Sequence, residues 1–120
     1  MCAEPLSRER AMPEYDLGEV RRALAEGRYE VTARVRRHMR RKGWTREDLV
    51  GCACALTSAD FHKSQQHLSR ERVWLDVYRP WVGNERRYLK FVSDDEASRF
   101  VILSFCAMAK PTKGWWRWRK

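Results

Sequence analysis

Cysteine is scarce in this chain: Cys2, Cys52, Cys54 and Cys106 are the only four in 120 residues, and they follow no repeating spacing. A disulfide framework is therefore not expected, and a reducing compartment would leave these groups as thiols. A Cys-x-Cys pair on a helix points its sulfurs to different faces, and no second Cys or His pair stands at zinc-ligand spacing, so neither a metal nor another cofactor is expected. Cys52 and Cys54 read as small helix residues near the core. Long apolar runs are also missing. None reaches the roughly 18 residues of a membrane span, and the opening Met1-Cys2-Ala3-Glu4-Pro5-Leu6-Ser7-Arg8 has no signal-like apolar centre, so the chain reads as cytoplasmic. Acidic residues are the other shortage: 16 Asp and Glu face 25 Lys and Arg, for a net charge of +9. Such an excess points to a polyanionic partner, whether RNA, DNA, a membrane surface or an acidic protein.

What remains is enough for one modest core. Residues 1–14 are polar, hold two prolines and lack a sustained period, which predicts a loosely docked or flexible N-terminal arm without chemistry. Asp16 with Glu19 caps a first short helix carrying Val20, Ala23 and Leu24, and Gly27 ends it. Tyr29 to Ala33 is β-prone. From Arg34 to Lys42 the chain carries Arg34, Arg36, Arg37, Arg40, Arg41 and Lys42 with His38, a basic helix held by Val35 and Met39. Such a run serves equally as a solvated face or as a phosphate or acidic-partner surface, with Arg37 a candidate RNA contact. Gly43 closes it. Thr45 with Asp48 caps a further helix, Glu47 to Leu56, whose Leu49, Val50, Ala53 and Leu56 form a buried face.

After the turn cluster at Thr57 to Asp60 the period becomes alternating. Four strands are expected, at Phe61–Leu68, Arg72–Arg79, Arg86–Val92 and Arg99–Met108, joined by short polar loops as an antiparallel meander. Helices first and strands afterwards predict an α+β domain over residues 15–110, with N-terminal helices packed on one face of a mainly antiparallel sheet and the other face left for a ligand. The tail, Pro111 to Lys120, is basic and Trp-rich. Its Trp115 and Trp116 suit base stacking beside phosphate-pairing cations, and the same composition suits anionic lipid.

The strands carry an inventory for handling a phosphodiester without a metal. RNA is cleaved when its 2′-hydroxyl attacks the adjacent phosphorus, which needs a base, a proton donor and cations for the charged transition state. Lys63 and Arg79 are candidates for the cations and Tyr88 for the proton donor, while His62 or His67 titrates in the useful range. Neighbours on a strand face opposite sides, so His62 and Lys63 share a face only if a bulge intervenes.

The stretches Leu56-Thr57-Ser58-Ala59-Asp60-Phe61-His62-Lys63-Ser64, Trp74-Leu75-Asp76-Val77-Tyr78-Arg79-Pro80, Tyr88-Leu89-Lys90-Phe91 and Ile102-Leu103-Ser104-Phe105 resemble the successive strand motifs of the MqsR family. Those proteins are toxins of type II toxin–antitoxin pairs, and the resemblance runs from about Tyr15 to Phe105. It implies a RelE-like microbial ribonuclease fold and an mRNA interferase that cuts at short GC-containing sequences without metal, halting translation and growth. It also implies a cognate antitoxin that binds zinc and DNA, and through it operator DNA. The family's active-site Lys falls on Lys63 and its Tyr on Tyr88. Leu75 stands where the family pattern has Gln, and Cys106 where it has Lys. Either a nearby cation such as Lys90, Lys110 or Arg79 takes over, or activity is reduced or redirected. A relative that binds RNA without cutting it, acting by occupancy or as the antitoxin's partner in transcriptional control, is the alternative.

Overall fold

A computed structural model of the chain describes residues 8–67, 69–70 and 72–108. Along them run β1 (Glu9–Arg10), α1 (Leu17–Ala25), β2 (Tyr29–Val31), α2 (Ala33–Lys42), α3 (Arg46–Cys54), β3 (Phe61–Gln66), β4 (Trp74–Tyr78), β5 (Trp81–Val82), β6 (Glu85–Asp94) and β7 (Arg99–Ala107). The architecture is α+β, with three helices beside a mainly antiparallel sheet.

Each helix begins where a side chain satisfies backbone donors that the first turn leaves unpaired. Asp16 accepts from the Glu19 N–H at 3.0 Å, Thr32 from Val35 at 3.3 Å, and Thr45 and Asp48 form a reciprocal capping box. Gly43 ends α2 in the left-handed region at φ 76°, a conformation glycine adopts without a steric penalty. Val20, Ala23 and Leu24 of α1, Val35 and Met39 of α2, and Leu49, Cys52 and Ala53 of α3 are buried against Tyr78, Leu89, Phe91, Phe100, Ile102 and Phe105 of the sheet. Trp44, between α2 and α3, packs on Phe105, and the Arg87 guanidinium lies 4.0 Å from the indole centroid. His38 packs edge-on to Trp44, a packing role rather than a catalytic one. Cys52 is buried as expected, whereas Cys54 is exposed at the last turn of α3, its thiol directed at the Arg21 carbonyl.

The sheet order is β1-β3-β4-β6-β7-β2, with β5 attached to β6 alone. The run β3-β4-β6-β7 is the expected meander, and Trp81–Val82 folds back on Glu85–Arg86 across Gly83. Of the outer strands, β2 falls in the β-prone Tyr29 to Ala33 stretch and β1 is an addition. β2 pairs parallel with β7, Tyr29 opposite Phe100 and Val31 opposite Ile102, a long-range pairing that no local turn encodes. β1 pairs antiparallel with β3, Glu9 opposite Gln65 and Arg10 opposite Ser64.

The described part of residues 1–14 is therefore attached to the sheet, a correction to the loosely docked arm. Arg10 lies 3.9 Å from the Trp74 ring centroid, and the Glu14 and Tyr15 amides donate to the Asp76 carboxylate at 2.9–3.1 Å. Tyr15 then inserts its ring beside Phe91 and Phe100. The segment 111–120, with Trp115 and Trp116, and the neighbouring Lys110 lie outside the described residues.

Asp76 is fully buried, and burial raises its pKa above the ordinary 3.8 against the opposing pull of the Glu14 and Tyr15 amides and the Ser64 hydroxyl. Removing the carboxylate leaves two part-buried amides without acceptors. Asp76→Ala is therefore expected to cost about 2–4 kcal/mol in urea unfolding, and Asp76→Asn, which keeps one acceptor oxygen, distinctly less. A loss under about 0.5 kcal/mol for Asp76→Ala would mean that this anchor contributes little.

Candidate functional site

With the helices on one side, the alternation of the strands assigns the other side. Ser64 faces Asp76 in the core layer, so Lys63 and Gln65 of β3 take the open face together with Leu75 and Val77 of β4. The register carries the row onward: Val77 stands between Lys63 and Lys90, and Lys90 is opposite Ser104 of β7. Two residue pairs along, and so on the same side, Tyr88 is opposite Cys106. Leu75 is 8% exposed and Val77 not at all, giving this face an apolar floor.

His62 joins the face through an irregularity. Phe61 pairs with Tyr78 and Lys63 with the adjacent Val77, so His62 is an extra residue in a bulge and the strict alternation is broken there. Its pKa is lowered from 6.5, first by desolvation and then by the charges of Arg79 and Lys63, with Glu9 opposing and Arg86 adding a smaller push. Arg79 follows the last residue of β4. Its backbone N–H donates to the Asp60 carbonyl at 2.8 Å, its carbonyl accepts from Arg86 Nε at 2.7 Å, and its own Nε is buried without a hydrogen-bond partner among the described residues. Lys63, His62, Arg79, Tyr88 and Lys90 are thus brought together. His67 is not: past the end of β3, its Nδ1 accepts from the Ser69 amide at 3.0 Å.

Two residues that strand patterning did not single out belong to this surface. Glu9 of β1 bonds the Lys63 ammonium at 2.6 Å, with the two side chains 50% and 26% exposed, so Lys63 already holds an anionic partner. Nothing in the polar opening of the chain indicated that pairing. Arg34, the first cation of α2, is the other. The Thr32 amide donates to the Ile102 carbonyl at 3.3 Å, which starts α2 beside the following residues of β7. The Lys90 pKa is lowered from 10.5 first by desolvation, then by the charges of Arg34 and Lys63, and Arg34 opposes the burial that raises the Cys106 thiol above 9.0. A thiol so raised is neutral near pH 7 and supplies no charge, whereas Arg34 brings one to the same edge of the sheet. Arg37 lies exposed one turn further on the helix, and among the described residues none of the α2 arginines is in an ion pair with an acid. The signal that would have identified Arg34 is its position: the first cation after a strand that meets β7.

A hollow of about 910 Å³ lies on the helical side, lined by residues including Leu24, Tyr29, Met39, Arg40 and Trp44, and holds none of these groups. No cluster of His, Cys, Asp and Glu suited to a metal ion occurs among the described residues, and none of the described helices is long and apolar enough to cross a membrane.

Fold and face define a small basic α+β protein that gathers lysines, arginines, a tyrosine and a histidine on the helix-free side of an antiparallel sheet. Residues 12–107 match the family described as motility quorum-sensing regulator, toxin of MqsA, and the chain belongs to that family. It is accordingly a toxin of a toxin–antitoxin system, with an MqsA-type antitoxin as its partner. No curated protein matches the chain.

Any other anion that pairs with Lys63 has to displace Glu9. Glu9→Gln is therefore expected to tighten binding of a short single-stranded RNA by about two- to five-fold at low salt, with the gain fading as screening rises. Unchanged or weaker binding in a titration at low ionic strength would show that Glu9 does not compete with RNA.

Proposed function

We propose that the chain is a metal-independent endoribonuclease that cuts mRNA in the cytoplasm at short GC-containing sequences, so halting translation and growth. The observation that carries this reading is the open-face row in which Lys63 and Lys90 flank Val77, with Tyr88, Arg79 and His62 adjoining, in a member of a toxin family. The one-sided α+β architecture supports a RelE-like fold, and family membership supports an antitoxin that binds zinc and DNA.

In the proposed reaction the 2′-hydroxyl oxygen bonds to the adjacent phosphorus while the bond from phosphorus to the leaving 5′-oxygen breaks. The products are a cyclic phosphate and a 5′-hydroxyl end. Neutral imidazole at His62 takes the 2′ proton, and the Tyr88 phenol gives a proton to the leaving oxygen. Lys63, Lys90 and Arg79 stabilise the additional negative charge on the phosphoryl oxygens, with Arg34 supplying the cation that Cys106 does not. Arg37 continues the positive surface for flanking RNA. Lys110, Trp115 and Trp116 are assigned by sequence alone as further RNA contacts. The second reading, RNA occupancy without cutting, draws support from the neutral Cys106 thiol and from the Glu9 already seated on Lys63.

The two readings separate when the purified chain and its Lys63→Ala/Tyr88→Phe variant are incubated with a defined mRNA in EDTA. Discrete cuts with 5′-hydroxyl ends, slowed at least about 1,000-fold in the variant, are the expected result. Intact RNA with retained binding by the unmodified chain leaves occupancy.

The pH dependence follows from His62. Its pKa lies below 6.5, so the imidazole is neutral near pH 7 and gains its proton only as the pH falls through that lowered value. Single-turnover cleavage is expected to fall on the acid side along a limb centred below pH 6.5. An acid limb centred above pH 6.5 would assign the base to another group.

A further inference from the structure

Of the Trp, Tyr and Phe side chains among the described residues, Trp81 alone is exposed, at 58%. The others pack, as Trp44 does on Phe105 and Phe61 on Tyr78. An indole left in water forgoes the burial through which tryptophan ordinarily stabilises a fold. Trp81 stands there because Gly83, at φ 66°, turns the two-residue β5 back onto β6.

Register decides which side of the sheet the ring joins. Trp81 is directly opposite Arg86, and Arg86, Tyr88 and Lys90 alternate along β6 on the open face, whereas Arg87 and Leu89 turn towards the helices. At about 3.3 Å per residue, Arg86 is about 7 Å along the strand from Tyr88. Its guanidinium carbon lies 4.9 Å from the indole centroid, and its Nε donates to the Arg79 carbonyl at 2.7 Å. That hydrogen bond holds the arginine both to the ring and to the strand end that carries Arg79. Arg86 is in no ion pair with an acid among the described residues. One guanidinium cannot cover both faces of an indole, so a face of the ring is left for a second planar group.

An exposed aromatic plane beside an uncommitted cation suits single-stranded nucleic acid: the plane takes an unstacked base and the cation takes phosphate. An apolar protein segment would use the ring and leave Arg86 unpaired. A polyanion uses both, and the row of cations on the same face continues the attraction.

We propose that Trp81 and Arg86 form a stacking subsite for single-stranded RNA, in which the indole stacks the base of a nucleotide flanking the one held at Tyr88 and Arg86 pairs with phosphate. The inference rests on the ribonuclease reading only in taking single-stranded RNA as the ligand. The subsite adds affinity and alignment without choosing among bases, because every base has a π-face.

The test is a binding titration with a short 2′-O-methyl RNA, which lacks the attacking hydroxyl and stays intact, and with a set in which one position at a time is abasic. Trp81→Ala is expected to weaken binding of the complete RNA by about ten-fold, and Trp81→Phe, which keeps a smaller ring, by less. Trp81→Leu, which keeps apolar bulk and removes the flat ring, carries the same expectation as Trp81→Ala if the latter fails to fold in urea titrations. Removing one particular base is expected to weaken the unmodified chain by a similar factor and to leave Trp81→Ala unaffected. Such coupling between one indole and one base would not arise from a merely structural role for Trp81. Arg86→Gln is expected to lower the salt dependence by about one phosphate contact. Unchanged affinity in folded Trp81→Ala and Trp81→Leu, or base removals that weaken the variant as much as the unmodified chain at every position, would overturn the proposal. Unchanged RNA affinity with lost binding of the MqsA-type antitoxin would assign the hairpin to that partner instead. Coupling in a chain that leaves ordinary RNA intact refutes the ribonuclease reading and upholds the subsite; cutting of ordinary RNA without coupling does the reverse.

Discussion

The buried carboxylate of Asp76 is the constraint on which the arrangement of this protein rests. A carboxylate with no exposure is tolerated only when its oxygens are occupied, and here the occupants are the amides of Glu14 and Tyr15, far away in sequence, with the Ser64 hydroxyl contributing. Meeting that demand brings the start of the chain onto the central strands and drives the Tyr15 ring into the core against Phe91 and Phe100. It also fixes which side of β4 is inward. With Asp76 and Tyr78 turned to the helices, Leu75 and Val77 face outward and their partners Gln65, Lys63 and Lys90 go with them. The polar requirement on one side of the sheet thereby sets the composition of the other.

Around Lys63 and Lys90 that other side concentrates positive charge; its acids are Glu9 on Lys63 and, toward the β2 edge, Glu30 and Asp94 on Arg99. Burial first, and neighbouring cations after it, lower both the His62 and the Lys90 pKa values. A face that disfavours its own protonation is one that an incoming polyanion relieves. The chemistry proposed for it draws on the strands, on Arg79 just past β4 and on Arg34 of α2, and the β3 bulge is what places His62 and Lys63 on the same side.

The helices were legible from sequence because their signals are local: Asp16, Thr45 with Asp48, and Gly43 mark boundaries that the folded chain keeps within a residue or two. The meander was legible for the same reason, through alternation and short polar loops. What escaped was encoded at a distance. Glu9 has no pattern around it, and its value comes from Lys63, 54 residues later. Arg34 looked like one cation of a run until the parallel pairing of β2 with β7 gave it a location. The bulge at His62 was recognised only as a possibility that would reconcile two side chains, since a single inserted residue leaves no compositional trace. The resemblance to a family identified Lys63 and Tyr88, yet register alone reveals that Gln65 and Leu75 are opposite one another.

The parallel pairing of β2 with β7 also bears on when this toxin becomes a toxin. β7 is the last described strand, and it lies between β6 and β2 while α1 and α2 pack upon it. Until it leaves the ribosome, β2 has no neighbour, α2 has no floor, and Lys90 has neither Ser104 beside it nor Arg34 near it. The earlier strands can form their hairpin, but the charged surface is complete only once β7 has been synthesised and has paired with β6 and β2.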